Sequence, residues 1–248
     1  MLKEDSRHIK WDRLVSNQVV LWDIRRKLEE ETGSSQAESP WAGSFITISR
    51  THGAGGDEIA AEIGRILDWQ VYDRELVEYI AETANVRQRV VESLDERRQS
   101  EIENWMQTLL SHQMLGTDKY LKHLISVLLA IAEHGRAVII GRGSNFVLAS
   151  GKGLRVLITA PLEWRAEQLA QKRKISIKEA KKNIRKVDDE RLAYIRRYFR
   201  RDANDPTAYD LVLNVMNMSK GCAARIIISA LAHKIGITNP NAVQTVAA

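Results

Sequence analysis

A single cysteine, Cys222, stands in 248 residues, which excludes an internal disulfide and any zinc cluster built on cysteine. His8, His112, His123, His134 and His233 show no ligand spacing with acids or with that cysteine, so no transition-metal site is expected. No apolar run is long enough to cross a bilayer, and the start Met1-Leu2-Lys3-Glu4-Asp5 has no hydrophobic signal core. The expectation is a reduced, cytoplasmic protein without membrane contact. No internal repeat is visible. What is there, 44% apolar and 28% charged residues, is the composition of a globular protein, and the length suits one substantial domain with an appendage.

Charge is unevenly spread. Residues 152–201 carry 16 Lys/Arg against 6 Asp/Glu, a surplus of ten within a chain whose net charge is +5. Such a segment calls for an anionic partner or a solvated face.

The turn Ser49-Arg50-Thr51-His52-Gly53-Ala54-Gly55-Gly56-Asp57-Glu58 says most about chemistry. A β-branched run, Phe45-Ile46-Thr47-Ile48, precedes it, and the periodic apolar residues Ile59, Ile63, Ile66 and Leu67 follow. That order reads as strand, glycine-rich loop, helix. Closely spaced glycines let main-chain N–H groups converge, and the helix N-terminus adds partial positive charge, so the turn is an anion site. A standard phosphate loop, G-x-x-x-x-G-K-[ST], carries Lys for the β/γ-phosphates and a hydroxyl for Mg²⁺. Setting Gly55 on its second glycine puts Gly56 where that Lys belongs, Asp57 where the hydroxyl belongs, and Arg50 on the first Gly. With no loop Lys, arginines must furnish the charge.

Residues 8–30 read as an amphipathic helix with an apolar stripe of Trp11, Leu14, Val15, Leu21, Trp22, Ile24 and Leu28, followed by a linker at 33–40. It is expected to dock on the main domain or on a second subunit as a homodimer. The expected division is therefore 1–40, a main domain at 41–238 and a tail at 239–248. Further strands are predicted near 69–74, at Ala137-Val138-Ile139-Ile140, at Leu154–Thr159 and at Asp210–Asn214. The stretch 87–134 is helical in pattern, with a turn at Gly116-Thr117-Asp118. Residues 162–174 and 177–200 read as basic helices, with Pro161 at a first helical position and Ser219 capping a final helix. Apolar strands separated by helices indicate an α/β fold with a parallel sheet covered on both faces. Each polar cluster, at 49–57, 72–74 and 141–145, follows a strand, the end at which such sheets bind ligands.

These segments in this order, with Tyr72-Asp73-Arg74-Glu75-Leu76, Ile140-Gly141-Arg142-Gly143-Ser144-Asn145, Ala160-Pro161-Leu162-Glu163-Trp164-Arg165, Asp188-Asp189-Glu190-Arg191 and Tyr209–Asn214, resemble the cytidylate kinase-like family of P-loop phosphotransferases. The resemblance covers about residues 45 to 235. It implies a three-layer P-loop fold with about five parallel strands, a nucleoside-monophosphate region between the first two strands, and a mobile lid made by the basic helices. It implies transfer of the ATP γ-phosphoryl to a nucleoside monophosphate such as CMP or a related small acceptor, with Mg²⁺ held mainly by phosphates and water. Family sequences often carry a basic residue where this chain has Asp57, a carboxylate that needs a metal ion or an arginine beside polyphosphate.

The expected site follows. Arg50, Gly53, Ala54, Gly55, Gly56, Asp57 and Glu58 hold ATP, Arg50 either touching phosphate or bracing the loop against a neighbouring acid. Arg142, which by resemblance holds the acceptor, Arg191 of the lid and Asp73 form the catalytic set. Tyr72, Asp73, Arg142 and Asn145 bind the acceptor. Asp73 has capping of the next helix as its alternative, Asn145 likewise, and Asp188 and Arg191 can pair at i, i+3. His52 reads as structural. A non-catalytic nucleotide-sensing or partner-binding protein of the same fold is the alternative function. Nucleic-acid binding through 165–201 is set aside, because the run has no array of stacking aromatics.

Overall fold

The computed structural model describes residues 2–32, 40–111, 118–148 and 151–237. Most of the predicted linker, the turn at 116–117 and the tail at 239–248 lie outside the described residues. In chain order the helices are α1 (Leu2–Thr32), α2 (Gly56–Leu67), α3 (Arg74–Glu82), α4 (Ala84–Glu92), α5 (Glu96–Ser111) and α6 (Lys119–His134). After them come α7 (Ser144–Val147), α8 (Leu162–Arg173), α9 (Ile177–Phe199) and α10 (Lys220–Lys234). The chain divides into two compact units, one drawn from 1–44 and 74–135, the other from 45–73 and 136–248.

The second unit holds the sheet. Strands β1 (Phe45–Arg50), β2 (Gln70–Tyr72), β3 (Ala137–Ile140), β4 (Gly153–Thr159) and β5 (Leu211–Asn214) run parallel in the order β2-β3-β1-β4-β5. β1 is central, with Ile48 registered against Ile140 of β3 and Val156 of β4. Its residues Phe45, Ile46, Thr47 and Ile48 are all buried, as expected of a strand covered on both sides. The chain runs from β1 out to β2 on one side, then returns to β4 and β5 on the other, and this reversal places a crevice at the carboxyl end of β1. α2 and α10 pack together and against the sheet, burying Ile59, Ile63, Ile227 and Leu231. The fold is an α/β fold with an all-parallel five-stranded sheet.

Two expectations need correction here. The helical stretch read at 87–134 does lie between β2 and β3, whereas the interval between the first two strands, where the resemblance puts the nucleoside-monophosphate region, holds α2 alone. Pro161 is the N-cap of α8, one position outside the helix, with ψ 145°, so its ring sets the entry into the helix and is not part of its first turn. Ser219 does cap α10, accepting the amide of Cys222.

The first unit is helical. α3 and α6 pair through Leu76, Val77, Ile80, Leu121, Leu124 and Leu128, all buried. α1 lies along α3 and α4. Its Asp12 and Ser16 accept from Arg89, and the rings of His8, Trp11 and Tyr79 cluster at 5.1–5.7 Å. Further along, Trp22 stacks on His134 at 3.8 Å between ring centroids. The buried stripe of α1 is narrower than the sequence suggests: Val15 and Trp22 are buried, while Leu21 and Ile24 face outward. Residues at i and i+7 share one face, whereas Leu21 and Ile24 are turned away from it. Among the described residues no helix is long and apolar enough to cross a membrane.

Candidate functional site

β1 ends in the glycine loop, and the loop's main chain is tied down before any ligand enters. The Thr51 amide donates to the Ile158 carbonyl at 3.0 Å, and the Ala54 amide to the Thr51 carbonyl at 3.3 Å. Gly53 and Gly55 have φ of +84° and +79°, a region that side-chain-bearing residues rarely adopt. A Cβ on Gly53 would also lie 3.1 Å from the Arg165 carbonyl. Gly55 is the N-cap of α2 and contributes no side-chain cap, so the first amides of the helix keep their donor capacity for an anion.

α8 and α9 close on this loop. Arg165 of α8, 9% exposed, donates to the carbonyls of Ala160 and His52 at 2.8 and 2.9 Å. It also pairs with Asp188 of α9 at 2.6 Å. The other oxygen of Asp188 accepts the His52 amide at 2.7 Å. Arg191, one turn on, donates to the Arg50 carbonyl at 2.9 Å. The i, i+3 pairing expected between Asp188 and Arg191 thus gives way to two separate contacts with the loop, because both side chains find partners there. Asn183 Oδ1 accepts from His52 Nε2 at 3.1 Å and from Arg173 at 3.2 Å, which puts the imidazole proton on Nε2. Burial, and then the charge of Arg191, lower the His52 pKa, so the ring is neutral and structural at neutral pH. The basic helices expected to form a mobile lid are, in this structure, docked on the loop.

The charges at the loop mouth are arranged in pairs. Arg50 Nε donates to Asp57 Oδ1 at 2.9 Å, which supplies the arginine that Asp57 needs beside polyphosphate. Glu58 accepts from Lys172 of α8 at 2.5 Å and lies 3.9 Å from Lys220 of α10. Burial alone would raise the Glu58 pKa, but the Lys172 hydrogen bond and the charge of Lys220 bring it below the usual carboxylate value. Arg50, Lys172, Arg173, Arg191 and Lys220 all line one open cleft of about 1030 Å³, together with the loop residues 51–56. Trp164, Val215 and Met218 supply apolar surface to the same cleft.

Of the predicted residues, Arg50, Gly53, Ala54, Gly55, Gly56, Asp57, Glu58 and Arg191 come together in this cleft. Tyr72, Asp73, Arg142 and Asn145 do not line it. Tyr72 is buried at the end of β2, so its ring belongs to the core. Asp73 immediately precedes α3. Arg142 has φ +53° in the turn after β3, and its guanidinium lies over the Tyr194 ring at 4.7 Å. Asn145 sits inside α7, whose N-cap is Gly143, so the capping alternative falls; its Oδ1 accepts from Ser49 at 3.3 Å. Arg165, Lys172, Arg173 and Lys220 were missed among the site residues. Trp164-Arg165 was visible as a segment, yet nothing local tells a buried arginine from a solvated one. Asp57 and Glu58 offer hard oxygen donors suited to Mg²⁺, which asks for one or two carboxylates beside phosphates and water. The loop amides and surrounding cations fit a polyphosphate.

Comparison with known proteins accords with this geometry. The model of the cytidylate kinase-like family matches residues 45–217. A cytidylate kinase of Methanopyrus kandleri is 31% identical over 109 residues, covering 40% of this chain and 56% of that protein. A cytidylate kinase of Pyrococcus horikoshii is 30% identical over 105 residues, covering 41% and 53%. The chain thus spans about half the length of the curated relatives it matches. A crystal structure of an uncharacterized protein from Eubacterium ventriosum shares the fold, with a TM-score of 0.60 at 18% identity, over 77% of this chain and 99% of that one.

Proposed function

The chain belongs to the cytidylate kinase-like family, and we propose that it transfers the γ-phosphoryl of ATP to a nucleoside monophosphate, with cytidine monophosphate the first acceptor to test. One observation carries this reading: the main-chain amides of the glycine loop and the side chains of Arg50, Lys172, Arg173, Arg191 and Lys220 converge on a single cleft. Such a cluster suits several negative charges on one ligand. The two relatives named as cytidylate kinases support the choice of acceptor.

In this reading the amides of Gly53 to Gly56 hold the phosphate chain, and Arg191 and Lys172 offset its charge. The bond from the γ-phosphorus to its bridging oxygen breaks, ADP leaves with the electron pair, and a bond forms to a phosphate oxygen of the acceptor. Arg142, fixed over Tyr194, is assigned to the acceptor phosphate, and Asp73 at the end of β2 to its orientation, with Tyr72 at the end of β2 and Asn145, bonded to Ser49 of β1, assigned to the acceptor beside them. Mg²⁺, when bound, neutralises phosphate charge; Glu58 and Asp57 are the carboxylates that would hold it.

Isothermal titration with ATP and Mg²⁺, followed by ADP-release measurements over a panel of nucleoside monophosphates, tests the proposal. Saturable ATP binding and faster ADP release with one monophosphate are expected. Folded protein that binds no nucleotide would end this reading, and ATP binding without turnover on any acceptor would leave the non-catalytic nucleotide sensor in its place.

A further inference from the structure

Gly56 occupies the position at which a standard phosphate loop carries its lysine, and the structure shows what fills the space instead. A Cβ built on Gly56 would lie 2.8 Å from Arg50 Cβ and 2.9 Å from Arg50 Cγ. A Cβ on Gly141, in the turn after β3, would lie 2.7 Å from Arg50 Nη1. The Arg50 side chain therefore leaves the end of β1, crosses the first residue of α2, and ends between the glycine loop and the turn that carries Arg142. A side chain at Gly56 and the side chain of Arg50 cannot both occupy this path.

The orientation of the guanidinium is fixed from one side. Its Nε–H is taken by Asp57, whose own side chain is 64% exposed, while the Arg50 side chain is only 11% exposed. Among the described residues Asp57 is the one hydrogen-bond partner of the guanidinium, so the two Nη groups keep their donors, and Arg50 lines the cleft. A guanidinium held at Nε presents its Nη edge, the geometry suited to bidentate contact with phosphate oxygens. Its carbonyl is held in turn by Arg191. The stem is anchored at both ends before ligand arrives, so little ordering cost attaches to the contact.

We infer that Arg50 is the phosphate-loop cation of this protein, reaching the β- and γ-phosphates from the end of β1 along the path that Gly56 leaves open, with Asp57 as its positioning residue. The inference rests on the proposed ATP site and names the residue that replaces the lysine there. It also accounts for two departures from the standard loop together: glycine at position 56 makes room, and aspartate at position 57 aims the arginine.

The test is an exchange. Arg50→Gln keeps most of the stem but removes the charge, and ATP affinity is expected to fall at least about tenfold, the loss of one or two charge-assisted hydrogen bonds. Gly56→Lys alone collides with Arg50 and is expected to weaken ATP binding as well. The double variant Arg50→Gly with Gly56→Lys rebuilds the standard arrangement and is expected to recover affinity relative to either single change. Circular dichroism and thermal melts check that each variant folds. Wild-type protein that binds ATP while Arg50→Gln binds it within twofold as tightly overturns this inference and leaves the ATP site standing. A folded double variant that binds no better than Gly56→Lys also overturns it. Wild-type protein that binds no ATP removes the site itself. Should the double variant not fold, Arg50→Gln decides alone.

Discussion

The Asp188 carboxylate accepts the main-chain amide of His52 at 2.7 Å across 136 positions of sequence. The same carboxylate holds Arg165 at 2.6 Å, and Arg165 donates to the His52 carbonyl. Both polar groups of one loop residue are therefore held by an ion pair joining α8 and α9. The loop shape depends on this pair as well as on its own glycines.

Replacing Asp188 with Ala leaves the Arg165 guanidinium in its buried place without its counter-charge. A loss of about 3 kcal/mol in stability is expected, in line with removal of one partner from a buried pair. Asp188→Asn keeps an acceptor for the His52 amide and is expected to lose less. Urea denaturation gives the stability of each, and the stabilisation conferred by ATP is expected to shrink in both. An Asp188→Ala protein as stable as wild type would show that the clamp adds nothing.

Gly143 lies against Phe199, the last residue of α9. A Cβ there would come 2.3 Å from the Phe199 ring, which is fully buried. Gly143→Ala is expected to cost about 2 kcal/mol, as overpacking of a filled core does, and to disturb the adjoining Arg142 turn. A lowered melting temperature with weakened acceptor binding is the expected outcome. Unchanged melting would show that the ring moves aside freely.

His134 stacks on Trp22, and its Nε2 meets Ser93 Oγ at 2.8 Å. Since Ser93 donates its own proton to the Val90 carbonyl, His134 donates to Ser93. Burial, followed by the charges of Arg98, Arg25 and Arg26, lowers its pKa to about 3. The folded form therefore favours the neutral ring, and the unfolded chain takes up the proton more readily. The stability due to this group is complete above pH 6.5 and falls as the pH drops from 6.5 towards 3. Between pH 7 and 5.5 the loss is about 1 kcal/mol. Chemical denaturation at the two pH values measures it, and His134→Gln is expected to remove that difference while lowering stability at pH 7.

Lys172 and Lys220 flank Glu58 at the open side of the cleft and are mostly exposed. As exposed cations they contribute modestly to stability, but they stand beside the position assigned to phosphate. Lys172→Ala and Lys220→Ala are each expected to weaken ATP binding severalfold at low ionic strength, with the difference narrowing in high salt. Titrations at two salt concentrations check this; a salt-independent loss would argue for direct, shielded contact.

The sheet was largely legible in the sequence. Ala137–Ile140 and Phe45–Ile48 are apolar runs bounded by glycine turns, and such runs become buried strands because no alternating polar face is available to meet water. The loop was legible because closely spaced glycines mark the positions where the backbone must take positive φ. The pairing of Asp188 with Arg165 was not. At i, i+3 on one helix, Asp188 and Arg191 look like mutual partners, and only the approach of the loop supplies better ones. Arg165 sits in a helix among other basic residues, where nothing local separates the one buried guanidinium from those in solvent.

By itself, the sequence determined the parallel α/β order, the glycine bend and the lack of a loop lysine, because periodicity and backbone conformation depend on neighbours a few residues apart. The tertiary structure decided which arginine crosses Gly56, which carboxylate aims it, and which helices fasten the loop. Those outcomes depend on side chains joined across long stretches of chain, and on how much water each one loses when the strands and helices close around it.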